Sequence, residues 1–168
     1  EDVRKLIEEA VREAKGDFSH QKERELETRV ELAVSAFLPD SYVRGEAQRM
    51  EIYKRIAMIA SEADRAALTD DLVDRFGEPP EPVVNLMNVA QLRSLARGIG
   101  ADFVTASDGF LKFRLNGDYV DDPALLVSAL AQADSKLSLA TGRNTTVMLR
   151  LPRMADQDMI AEGIRALT

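Results

Sequence analysis

The chain has 168 residues, with 22 Lys and Arg against 29 Asp and Glu, one His and no Cys. That length suits one domain, or a domain with a short arm, and 45% hydrophobic with 30% charged residues argues for a buried core and against disorder. Without Cys there is no disulfide, no thiolate nucleophile and no cysteine-ligated zinc, and one histidine cannot make a two-histidine zinc site. The net charge of −7 argues against nucleic-acid binding, because phosphate contacts need a surplus of Lys and Arg.

No apolar run approaches the roughly 18 residues of a membrane span. The opening residues, EDVRKLIEEAVREAKG, are charged throughout and do not read as a signal peptide. The chain does not begin with Met, so it is expected to be a fragment of a longer protein.

Taken in chain order, Val3, Leu6, Ile7, Ala10, Val11 and Ala14 mark one face of a helix over 3–15, with Gly16 as its stop. The polar stretch 17–29 reads as a linker containing His20, which is expected to be exposed and idle. Residues 1–29 are therefore expected to form a helix and linker arm, and 30–168 the domain proper. Val30, Leu32, Val34 and Ala36 alternate with Glu31, Ala33 and Ser35, which predicts a strand closed by Pro39 and Asp40.

Three helices are predicted next. The first covers 45–60, with Ala47, Met50, Tyr53, Ile56, Ala57 and Ala60 as its core stripe. The second covers 62–76 and ends at Gly77, where a left-handed terminator is favoured. The third covers 82–98 behind a rigid EPPEP turn, with Pro82 in its first turn. It is apolar on more than one side, so it should be central and packed on two faces.

From residue 101 the period shortens to that of strands. Residues 101–115 predict a hairpin turning at Asp108-Gly109. A helix over 123–133 follows, then a second hairpin, KLSLATGRNTTVMLRL, with Val147, Leu149 and Leu151 on one face. A last helix covers 155–167. The expected class is α+β: a strand and three helices, then a ββαββα unit with a small antiparallel sheet.

No phosphate-binding, dinucleotide-binding, nucleophile-elbow or zinc-protease motif is present, so no catalytic residue, cofactor or metal ligand is expected. The carboxylate pairs Asp70-Asp71 and Asp121-Asp122 stand in polar surroundings, whereas acid–base work needs a desolvated partner. Lys54 with Arg55, and Arg93 with Arg97, are the densest basic features, but no aromatic residues interleave them for base stacking. An accessory DNA contact through Arg93, Arg97, Arg143, Arg150 and Arg153 is the alternative to a protein-binding role. Residues 62–81 hold seven acids against two arginines, a local net of −5. On a helix, Asp71, Asp74 and Arg75 are i, i+3 and i+4 neighbours opposite the apolar side. Such a face is either a solvated exterior or a dock for a partner with complementary arginines.

The segments VELAVSAFLPDSYV, RMEIYKRIA and LTDDLVDRFGEPPEPVVNLMNVAQLRSLARGIG resemble the C-terminal regulatory (TRCF) domain of the bacterial transcription-repair-coupling factors. The likeness is densest over 30–100 and holds only as a pattern over 101–168, while 1–15 resembles the segment leading in from the motor region. The resemblance implies a cytoplasmic parent that is an ATP-dependent DNA translocase, with its ATP and Mg site in other domains. That parent would act on stalled RNA polymerase and recruit excision repair through UvrA. The resemblance further implies that this domain is regulatory and non-catalytic. It would dock on the parent's UvrB-like module, mask UvrA binding and restrain the motor, with no membrane and no direct DNA contact. The family's contact residues match Asp71, Asp74 and Arg75 here, with Asp70 and Glu78 beside them. Where the family often carries Glu, Asp71 keeps the charge on a shorter stem.

Overall fold

The computed structural model describes Ile7 and residues 27–116, 137–140 and 144–167. Several expectations lie outside the described residues. They are the 3–15 helix apart from Ile7, the Gly16 stop, most of the 17–29 linker with His20, the 123–133 helix with Asp121-Asp122, and Arg143 in the second hairpin's turn.

The described elements run β1 (Arg29–Glu31), α1 (Glu46–Ala57), α2 (Glu62–Phe76), α3 (Glu81–Gly98), β2 (Ala101–Ser107), β3 (Phe110–Leu115), β4 (Leu137–Ala140), β5 (Thr146–Arg150) and α4 (Asp156–Leu167). The α+β class is as expected. The sheet, however, is mixed rather than antiparallel. Its order is β1-β2-β3-β5-β4, with β1 on the edge running parallel to β2 and the other pairings antiparallel. The N-terminal strand thus belongs to the sheet of the C-terminal hairpins. Thr28 anchors this return, its buried hydroxyl donating to the Ala101 carbonyl at 2.8 Å.

The hydrogen-bonded strand is shorter than the predicted 30–36. After Glu31 the chain bends: Val34 N–H donates to the Leu32 carbonyl, and Ala33 N–H donates to Asp156 Oδ2 at 2.7 Å. Those donors are lost to the ladder. The predicted face is nevertheless the buried one, since Val30, Leu32, Val34 and Ala36 all lie against the sheet core. The first hairpin turns where expected. Asp108 and Gly109 have φ 55° and 80°, the two positive angles of a primed two-residue turn whose twist matches the strands.

Two apolar cores form, and α3 supplies both, as its two-sided apolar pattern predicted. Val83, Met87 and Ala90 join the helical core with Ile52, Ile56, Leu68 and Leu72. Val89, Leu92, Leu95 and Ala96 join the sheet core with Leu111, Phe113, Val147 and Leu149. Ile7 is fully buried in that second core. The last helix lies close on the sheet at Gly163, where a Cβ would meet Leu111 Cδ2 at 2.5 Å.

The core stripe predicted for α1 is wrong in phase. Ile52, Ile56 and Ile59 face inward, and of the predicted set only Ile56 is buried. Ala47, Met50, Tyr53, Ala57 and Ala60 are exposed, with Met50 at 54% and Tyr53 at 40%. Ile52 and Ile56, at i and i+4, with Ile59 just past the helix end, compete with a Met–Tyr–Ala stripe about a third of a turn away. The isoleucine side, all branched aliphatic carbon, removes more purely apolar surface from water.

Candidate protein-docking face

The acidic helix α2 has the predicted bounds, and local chemistry sets both ends. Ser61 caps it: its Oγ accepts from Asp64 N–H at 3.1 Å, while Asp64 Oδ2 accepts from Ser61 N–H and Ala60 N–H. These two reciprocal bonds satisfy donors that the first turn leaves open. At the far end Gly77 has φ 86°, the positive angle expected, but ψ −173° makes the backbone extended rather than left-handed helical. The Tyr42 hydroxyl donates to the Gly77 carbonyl at 2.8 Å, and its ring meets Phe76 at 5.8 Å. Burial, and secondarily the Glu78 charge, push the Tyr42 phenol above its ordinary range.

The Leu-Pro-Asp-Ser-Tyr-Val segment is held on α1 by Arg49, which donates to the carbonyls of Leu38 (2.9 Å) and Val43 (3.2 Å) and pairs with Asp40 at 2.9 Å. Leu38 N–H in turn donates to the Tyr53 hydroxyl at 3.2 Å. The helical half therefore presents α2 on a fixed frame. On the α3 side, Arg65 pairs with Glu62 and donates to Asn88 Oδ1, and buried Gln91 donates to Glu62 at 3.1 Å. Arg65 foremost holds the Glu62 carboxyl below its usual range, against the opposing effect of burial.

The five acidic-face residues predicted from sequence divide into two groups. Asp71 and Arg75 turn toward α1. Asp71 Oδ2 accepts from both Arg55 and Arg75, and Arg75 reaches Glu51 at 3.1 Å while lying 5.0 Å above the Phe76 ring. Bonding from Arg55 above all keeps the Asp71 carboxyl below the usual carboxylate range, and Glu51 foremost raises Arg75. A lowered pKa is the opposite of what a general acid needs at Asp71.

Asp70, Asp74 and Glu78 are exposed, and among the described residues the side chains of Asp70 and Asp74 meet no hydrogen-bond or ion-pair partner. Glu51 and Arg55, which sequence reasoning left outside the face, belong to it. The signal for them was the opposite charge at i and i+4 within RMEIYKRIA, but the helix that it faces is a tertiary fact. Lys54 is exposed and not part of this network.

The described basic residues of the DNA alternative line different clefts. Arg93 and Arg97 line a cleft of about 620 Å³ with Arg29 and Thr28. Arg150 and Arg153 line another of about 620 Å³ beside the Asp108-Gly109 turn, where Arg150 stacks 5.4 Å from the Phe110 ring centre. Among the described residues no three His, Cys, Asp or Glu side chains converge as a metal cage, and no helix is long and apolar enough to cross a membrane.

The sequence profile of the TRCF domain matches residues 32–126. The transcription-repair-coupling factor of Mycobacterium bovis is 40% identical over 94 residues, which cover 56% of this chain and 8% of that protein. That of Bacillus subtilis is 33% identical over 92 residues, covering 55% and 8%. That of Rickettsia prowazekii is 27% identical over 135 residues, covering 79% and 12%. The chain thus spans a small part of the curated relatives it matches. Its fold resembles the crystal structure of the C-terminal domain of a transcription-repair coupling factor, with a TM-score of 0.67 at 23% identity, over 84% of this chain and 89% of that one.

Proposed function

Because the chain belongs to the TRCF domain family, we propose that it is the non-catalytic, autoinhibitory domain of a transcription-coupled repair translocase. In this reading it docks on the parent's UvrB-like module, masks the surface that binds UvrA and restrains the ATPase motor. RNA polymerase and DNA engage the parent and release it. The observation that carries the reading is the exposed acidic pair Asp70 and Asp74 on the solvent side of α2, without a side-chain partner among the described residues, next to the oriented carboxylate of Asp71.

A charged face suits a clamp that must open. Exposed ion pairs contribute about 0–1 kcal/mol each, and they steer and select partners more than they tighten binding. Moving a closed:open ratio from 99:1 to 1:99 takes a bias of about 5.5 kcal/mol. A handful of such pairs with a modest apolar contact gives a gap of that order, which polymerase or DNA binding can reverse.

The test is UvrA affinity of the full-length parent carrying Asp71→Ala with Asp74→Ala. Removing both acids should expose the UvrA site and raise affinity at least tenfold, roughly the loss of two or more exposed pairs. Unchanged affinity would show that the dock lies elsewhere. A fluorescence titration of the chain with duplex DNA tests the alternative, since tight binding with a steep salt slope is the mark of phosphate contacts.

A further inference from the structure

We infer that Arg55 on α1 is a positioning residue for the docking face, holding the Asp71 carboxylate by one oxygen so that the other is presented to a partner's guanidinium. This rests on the docking reading above and adds to it a division of labour. Asp71 Oδ2 accepts from Arg55 Nη1 and, at 3.3 Å, from Arg75 Nη1. Among the described residues, no group donates to Oδ1. A carboxylate fixed through one oxygen keeps lone pairs on the other for a further donor.

Arg75 is committed inward. Its Nη1 and Nη2 reach Glu51 Oε1 and Oε2 at 3.1 and 3.5 Å, and its guanidinium lies over Phe76. Glu51, Arg75, Asp71 and Arg55 therefore alternate in sign across the α1–α2 seam and carry no net charge. Such a ladder attracts a distant partner weakly, but it orients the group at its centre. Asp70 and Asp74, exposed and without a side-chain partner among the described residues, supply the attraction. The partner surface that fits is basic, with one arginine placed to reach Asp71 Oδ1 and others opposite Asp70 and Asp74. On this assignment Asp71 and Asp74 touch the partner, whereas Arg55, Arg75 and Glu51 act through Asp71.

A double-mutant cycle in the full-length parent, read as UvrA affinity, tests the assignment. Arg55→Ala should raise UvrA affinity about three- to tenfold, the span expected of one lost coupling. Combined with Asp71→Ala it should add nothing, because its effect passes through that carboxylate. Combined with Asp74→Ala the two effects should multiply. Arg55→Lys, which keeps a charged donor, should restore most of the closed state. If Arg55→Ala does not fold, Arg55→Gln takes its place in the cycle.

Asp71→Ala and Asp74→Ala without effect would overturn the docking reading itself. Both effective while Arg55→Ala is silent, or multiplies with Asp71→Ala, would overturn only the positioning role. Weaker UvrA binding by Arg55→Ala would make Arg55 a competitor for Asp71, and would overturn it equally.

Discussion

Gly77 ends the acidic helix with φ 86° and ψ −173°, a region that side chains with a Cβ avoid. Nothing lies within 4 Å of a Cβ built there, so the requirement is for backbone freedom and not for space. Gly77→Ala should lower stability by about 1–3 kcal/mol, read as a shift of the urea midpoint at constant slope. The Asp71 carboxylate is a second residue whose importance is local geometry, because two arginines share one of its oxygens.

At the scale of the element, α1 has two apolar stripes and buries only one. The prediction is a sharp contrast. Ile52→Ala should cost about 2–5 kcal/mol, because a fully buried side chain is replaced by a cavity. Met50→Ala, on the exposed stripe, should stay within about 0.5 kcal/mol. Thermal or urea unfolding of the two variants decides it, and a larger loss from Met50→Ala than from Ile52→Ala would mean that the helix packs in the phase expected from the sequence. By contrast α2 and α3 have the predicted bounds to within one residue, because Gly77 ends one and Pro82 opens the other.

At the scale of the whole molecule, carboxylates tie the acidic helix to its neighbours on both sides. Arg65 lowers Glu62 at the α3 side, the Ala60 N–H lowers Asp64 at the cap, and Arg55 lowers Asp71 at the α1 side. A carboxyl with a depressed folded pKa contributes stability above its unfolded value, about 4, and loses it as pH falls through the folded value. Stability should therefore be level from pH 7 to about 5 and decline below pH 4. The Glu62→Gln and Asp71→Asn pair should flatten that decline, as urea midpoints measured across the acid range will report.

The sequence by itself determined the α+β class, the bounds of α2, the central place of α3, the primed turn at Asp108-Gly109 and the buried face of residues 30–36. Each is written in local chemistry: periodicity, a cap, a proline, a turn pair. The concentration of acid in 62–81 and the motifs of the family were equally local. Only the tertiary structure decided that β1 returns to edge the C-terminal sheet, that α1 turns its isoleucines inward, and that Asp71 and Arg75 face α1 while Asp70 and Asp74 face water. Helical spacing places residues on an arc, but the neighbour across that arc comes from distant sequence. The partners of Asp71 are set by how α1 and α2 lie against each other, and that is decided by the core beneath them.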